Sequence, residues 1–141
     1  ALRCGAGLVT LAGPASLNAI FCQGADELMT APLPDLEGHV SGATAAARAL
    51  LPGKSALVVG PGFGTDTGAA AVVDLLLREA AVPLVLDADA LTCVAREPAL
   101  LASAAVPPVL TPHPGEMARL LGSDAAAVQA WAFQGEVVVR H

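Results

Sequence analysis

The stretch "ALVVGPGFGTDTGAAAVVDLLLREAAVPLVLDADAL", Ala56 to Leu91, decides the fold. It opens on a short apolar run, Ala56–Gly60, turns through three glycines, and continues with apolar residues at helical spacing to about Ala81. A second apolar run, Pro83–Asp87, follows, with Asp89 just beyond it. Neither run alternates apolar with polar residues. Unbroken Val and Leu are what strands covered on both faces of a parallel sheet carry. Strand, helix and strand in that order predict a βαβ unit within an α/β fold. Thr65 or Asp66 is the expected cap of the helix, and Arg78 and Glu79 lie near its end.

The same rhythm extends in both directions. Downstream, "PPVLT" (Pro107–Thr111) is a third buried strand, followed by a helix that starts at Pro114. "DAAAVQAWAF" (Asp124–Phe133) is helical in composition and "GEVVVRH" (Gly135–His141) is strand-like. Upstream, Gly7–Ala12 and Glu27–Leu33 read as strands around a short helix from Ala15 to about Gln23. Ser41–Gly53 reads as a helix capped by Ser41 and stopped by Pro52-Gly53.

Composition narrows the class. With 141 residues, 55% of them hydrophobic and 14% charged, the chain holds enough apolar surface for one well-buried domain. A net charge of −6 with seven scattered basic residues excludes a nucleic-acid partner, which needs clustered Lys and Arg. Every apolar stretch is broken by Gly, Pro or a charge before membrane-spanning length, and no signal peptide is visible, so no membrane partner is expected. Cys4, Cys22 and Cys93 are widely spaced and form no metal-binding pattern, which suits buried thiols in a reducing cytoplasm.

Three chemically different turns should meet at one place. Strands of a parallel sheet point the same way, so the turns after Gly60, Asp87 and Thr111 share the carboxyl edge where α/β folds bind ligands. In "GPGFGTD", Gly60, Gly62 and Gly64 let backbone amides approach a ligand beside a helix N-terminus. The loop is neither a Walker A sequence nor a dinucleotide fingerprint, and a plain tight turn is the alternative. In "LDADAL" one of Asp87 and Asp89 is expected to face the cleft, and the other to cap a helix from about Ala90. In "VLTPHPGEMARLL" Pro114 at the first helical position makes His113 the cap and Glu116 the third residue of the helix. Histidine caps less well than Ser, Thr, Asp or Asn, so the imidazole is expected to bond a ligand as well.

Taken together, "GAGLVTLA", "ELMT", "VVGPGFGTD", "PLVLDADAL" and "VLTPHPGEMARLLG" resemble, in order and spacing, the NAD(P)H-hydrate dehydratases of the ribokinase-like superfamily. The resemblance runs from Gly5 to Gly122 and implies a three-layer fold with a mostly parallel central sheet and helices on both faces. It implies repair of hydrated NADH or NADPH: ADP or ATP phosphorylates the ring hydroxyl, and phosphate then leaves. Magnesium is the implied cofactor, because phosphoryl transfer needs its charge neutralised. By motif, Gly62, Gly64 and His113 correspond to contacts with the hydrated cofactor, and Asp89 to a position near the phosphate. Glu116 corresponds to a water-mediated magnesium contact. A homo-oligomer is expected.

The family's lysine-glycine nucleotide loop is replaced by Arg140 and His141, and its Gly-x-Gly-Asp motif, with the catalytic aspartate, does not occur. The sequence thus reads as a partial domain over residues 1–141, lacking its N-terminal strand and its C-terminal catalytic segment, and is expected to be inactive by itself. Two other readings remain. One is a ribokinase-like kinase of a small vitamin precursor, which would release a stable phosphorylated product. The other is a catalytically dead nucleotide-binding domain.

Overall fold

The computed structural model describes residues 1–24 and 26–133. The strand expected at 135–141 lies outside the described residues. Three parallel strands organise the centre: β5 (Leu57–Val59), β6 (Leu84–Leu86) and β7 (Val109–Leu110), in the order β5-β6-β7. Between β5 and β6 runs α3 (Thr67–Glu79), and between β6 and β7 run α4 (Ala88–Arg96) and a 3-10 turn, Pro98–Ser103. This is the βαβ unit that Ala56–Leu91 predicts. Each strand is one or two residues shorter at each end than its apolar run, because Gly60, Asp87 and Thr111 already belong to the turns.

The register shows which residues face the core. Val59, Leu86 and Leu110 form one cross-strand row, and Val58, Val85 and Val109 form the row on the opposite face. Val59 and Leu86 are buried, whereas Val58 and Val109 are 70% and 57% exposed. The expectation of strands buried on both faces is corrected there. Side chains one residue apart in a strand point to opposite faces, and the described helices cover the Leu86 row more completely.

Helix α3 belongs to the same buried core as that row. Val72, Val73, Leu76 and Leu77 recur at helical spacing and are all buried, joined in one core by Leu84, Leu86, Leu91 and Val94. Asp66, not Thr65, caps α3: its Oδ1 accepts from the Ala69 amide at 2.7 Å. Arg48 of α2 (Thr44–Leu50) makes a two-pronged ion pair with Glu79 at the far end of α3, 2.7 Å for each bond. It lies in solvent and adds little to stability.

Upstream, both expected strands and the short helix between them are present, but the strands form a sheet of their own. Strands β1 (Val9–Pro14) and β2 (Leu28–Leu33) pair in parallel as a separate two-stranded sheet, around a 3-10 turn at Ala15–Leu17 and α1 (Asn18–Phe21). An antiparallel hairpin, β3 (Asp35–Leu36) and β4 (His39–Val40), lies where no element is expected. Its two turn residues, Glu37 and Gly38, both have positive φ, 51° and 81°, as a two-residue hairpin turn requires. The Asp35 carboxylate pins the hairpin, accepting from the Ser16 amide at 3.1 Å, the Ser16 hydroxyl at 2.7 Å and the Gly38 amide at 3.3 Å. Those bonds, the Ser16 hydroxyl first, hold the Asp35 carboxyl below the usual aspartate value.

Ser41 does not cap a helix. Its amide donates to Pro34 O at 3.0 Å, closing the hairpin, and α2 starts only at Thr44, without a side-chain cap. Downstream, α5 (Pro114–Leu121) and α6 (Ala125–Phe133) follow the sequence reading closely. Of the three thiols only Cys93 is buried; Cys4, at the end of the first 3-10 turn, and Cys22, just after α1, are exposed, which corrects the expectation of buried thiols. Among the described residues no helix is long and apolar enough to cross a membrane.

Candidate functional site

The turns after β5, β6 and β7 do share one edge of the sheet. Backbone bonds stitch that edge together: the Asp87 amide donates to Val59 O at 3.0 Å and the Thr111 amide to Leu86 O at 3.1 Å. Gly60 is the tightest joint. At φ 140° it lies so close to the next turn that a Cβ there would stand 1.7 Å from Asp87 O. The first and second turns are thus one packed unit, and only glycine fits between them.

Helix α4 then clasps the glycine loop from one side. Asp89, Cys93 and Arg96 are spaced four and three residues apart and so share a helix face. Asp89 Oδ2 accepts from the Gly64 amide at 2.9 Å, the Cys93 thiol approaches Gly64 O at 3.9 Å, and the Arg96 guanidinium donates to Thr65 O. Burial pushes the Cys93 thiol up, so it serves as a neutral, weak donor. The Gly64 amide expected to meet a ligand is therefore committed to Asp89. Gly62 has its own amide turned through φ 66°, with open space where a Cβ would lie.

The choice between the two aspartates resolves as the sequence predicts, one capping and one facing the cleft, with the helix starting two residues earlier. Asp87 caps α4, its Oδ1 accepting from the Ala88 amide at 2.9 Å, and Asp89 sits in the first turn of the helix, which begins at Ala88 rather than Ala90. Two carboxylates so close in sequence face different ways because a helix start intervenes. Ala88, between them, takes φ 45°, a conformation that costs a residue with a Cβ about 1–2 kcal/mol. Backbone strain of this kind gathers at functional corners.

A cleft of about 270 Å³ opens at this edge, lined by Gly64, Thr65, Asp66, Asp89 and His39. Two of the expected site residues, Gly64 and Asp89, meet there. His39, on β4, is the residue the sequence did not offer: a single histidine in an unrecognised hairpin carries no motif. The Cβ–imidazole region of His39 packs on Gly64, 3.0 Å from where a Cβ on that glycine would be.

His113 and Glu116 occupy the neighbouring corner, after β7, and do not line that cleft. His113 does cap α5, despite its modest capping propensity. Its Nδ1 accepts from the Gly115 amide at 3.0 Å, while Glu116 Oε2 accepts from the His113 amide at 2.9 Å. With Nδ1 accepting, the imidazole proton resides on Nε2, which faces Glu116 Oε1 at 3.3 Å. The His113 side chain is nevertheless 62% exposed, and that of Glu116 only 10%. Glu116 Oε2 is thus engaged within the capping box, and Oε1 lies 3.3 Å from the imidazole. Among the described residues no group of three His, Cys, Asp or Glu side chains could hold a metal ion.

Comparisons with known proteins show the family and the fold. A family model described as NAD(P)H-hydrate dehydratase matches residues 1–138. The chain is 42% identical over 131 residues to a bifunctional NAD(P)H-hydrate repair enzyme of Moorella thermoacetica, covering 92% of this chain and 25% of that protein. It is 39% identical over 131 residues to an ADP-dependent (S)-NAD(P)H-hydrate dehydratase of Xanthomonas campestris, covering 92% and 44%. The chain thus spans between a quarter and under a half of the length of these relatives. A crystal structure of a hypothetical protein from Streptococcus mutans superposes with a TM-score of 0.69 at 23% identity, over 95% of this chain and 47% of that one, and shows the same fold.

Proposed function

The chain belongs to the NAD(P)H-hydrate dehydratase family, and on that premise we propose that the protein it represents restores hydrated NADH or NADPH by nucleotide-dependent dehydration. The observation that carries this reading is the family match across residues 1–138, with the glycine loop and the Asp89 turn joined at one cleft. ADP is the proposed donor, since one relative is named for dependence on it. Phosphorylation of the ring hydroxyl replaces a poor leaving group by a good one, and the ring nitrogen lone pair expels it.

In this chain Gly62, Gly64 and Asp89 build the substrate edge, and His113 approaches the substrate from the next corner through the exposed face of its imidazole. Magnesium is proposed as cofactor. The donor set fits contact through water, because Glu116 is largely buried with Oε2 already engaged by the His113 amide, and magnesium keeps several of its waters. The free thiols of Cys4, Cys22 and Cys93 suit a cytoplasmic location. A homo-oligomer is proposed on the exposed apolar side chains of Leu8, Ile20 and Leu36.

The test is direct. Full-length protein is incubated with hydrated NADH and ADP, then with ATP, and recovery of dihydronicotinamide absorbance is followed. Recovery with either nucleotide supports the reading. No recovery, with a stable phosphorylated product from a vitamin-precursor alcohol, would establish the kinase, and nucleotide binding without turnover the inactive domain.

A further inference from the structure

We propose that His39 is a substrate-positioning residue, and that with Asp66 and Asp89 it forms an edge that recognises an uncharged, hydrogen-bond-donating ring rather than a phosphate. The inference rests on the dehydratase reading and specifies which part of the hydrated cofactor lies here.

Three observations carry it. His39 lines the cleft together with Asp66, Asp89, Thr65 and Gly64. It reaches that position only through the β3–β4 hairpin, which Asp35 and the Ser41 amide fix in place. Gly64 in turn leaves room for it, since a Cβ there would press on the His39 side chain at 3.0 Å.

The chemistry of the edge follows from what is already occupied. Asp66 uses Oδ1 on the Ala69 amide, and Asp89 uses Oδ2 on the Gly64 amide. The second oxygen of each has no hydrogen-bond partner among the described residues and remains an acceptor. Two carboxylates repel a pyrophosphate and accept from a carboxamide or hydroxyl. The imidazole adds one donor and one acceptor with a flat face, suited to a ring. Among the described residues the cation at this edge, Arg96, is turned to the Thr65 carbonyl. The hydrated nicotinamide ring fits this edge, whereas the phosphates do not, which moves Asp89 from the expected phosphate neighbourhood to the ring.

Steady-state kinetics of the full-length enzyme test it, with hydrated NADH and ADP varied separately for wild type, His39→Ala and His39→Gln. For His39→Ala the KM for hydrated NADH should rise about tenfold, the loss of one good hydrogen bond and its ring contact. The KM for ADP and kcat should stay within about twofold, because no phosphate contact is lost. His39→Gln keeps a donor and an acceptor and should recover most of the affinity. Unchanged KM for hydrated NADH in His39→Ala, or an equal rise for ADP, would overturn the role of His39 while leaving the dehydratase reading intact. A wild-type enzyme inactive on hydrated NADH would overturn both.

Discussion

Substituting Gly60 by alanine tests the central claim that the two turns at the ligand edge are one packed unit. The new Cβ would sit 1.7 Å from Asp87 O, 2.6 Å from Asp87 C and 3.2 Å from the Ala90 Cβ. The first of these is about half an ordinary contact, so backbone rather than a flexible side chain would have to retreat by more than an ångström. Overpacking of this kind costs about 1–3 kcal/mol. Holding alanine at φ 140° adds a further 1–3 kcal/mol or so. The sum, about 2–6 kcal/mol, is a large part of the stability of a typical domain.

Gly62→Ala is the internal control. It shares the loop and a positive φ, 66°, but meets nothing within 4 Å, so it should cost only about 1 kcal/mol. Urea unfolding of the full-length protein measures both, and the Gly60→Ala midpoint should fall several times further. Displacing Asp87 also drags Asp89 from the Gly64 amide, so the KM for hydrated NADH should rise in the same variant. Equal midpoints for the two variants would refute the close approach at Gly60.

Other substitutions separate structural from ligand roles. Asp89→Ala leaves the Gly64 amide without its acceptor and should cost about 1–3 kcal/mol in urea unfolding, whereas Asp89→Asn keeps an acceptor oxygen and most of that stability. His113→Ala should lose about 1 kcal/mol through the cap alone; His113→Asn caps at least as well, so any KM increase it shows in steady-state kinetics reports substrate contact. Asp35, held below its ordinary value near 3.8 by Ser16, contributes stability that is present above that value and lost as pH falls through its lowered folded value. Ser16→Ala should therefore be less stable than wild type at neutral pH, and the gap should close in acid unfolding titrations once pH has passed below the lowered folded value of Asp35. A gap that persists there would rule out the Ser16–Asp35 bonds as its source.

The readability of this chain followed the range of the interactions involved. The βαβ unit was legible because apolar runs, the Asp66 cap and the glycine turn are local signals, each within a few residues. The capping box at His113 and Glu116 was legible for the same reason. The β3–β4 hairpin was not: two-residue strands have no periodicity, and the turn uses Glu37 at φ 51°, a residue without a turn signature. The Ser41 cap failed because its amide closes the hairpin with Pro34, a tertiary use that overrides capping propensity.

For the site, sequence by itself determined the family, the parallel direction of the strands and therefore that three turns share an edge. These follow from motif order and from the one-directional geometry of a parallel sheet. Only the tertiary structure decided how the edge is wired. It assigned Asp87 to a helix cap and Asp89 to the Gly64 amide, wedged Gly60 against the Asp87 carbonyl, and brought in His39 from a distant hairpin. Apart from the Asp87 cap, which is local, these contacts depend on distances of a few ångströms between segments 25 or more residues apart, as for Gly64 and Asp89. A sequence pattern fixes which way a strand points; it does not fix which backbone amide a carboxylate meets at its end.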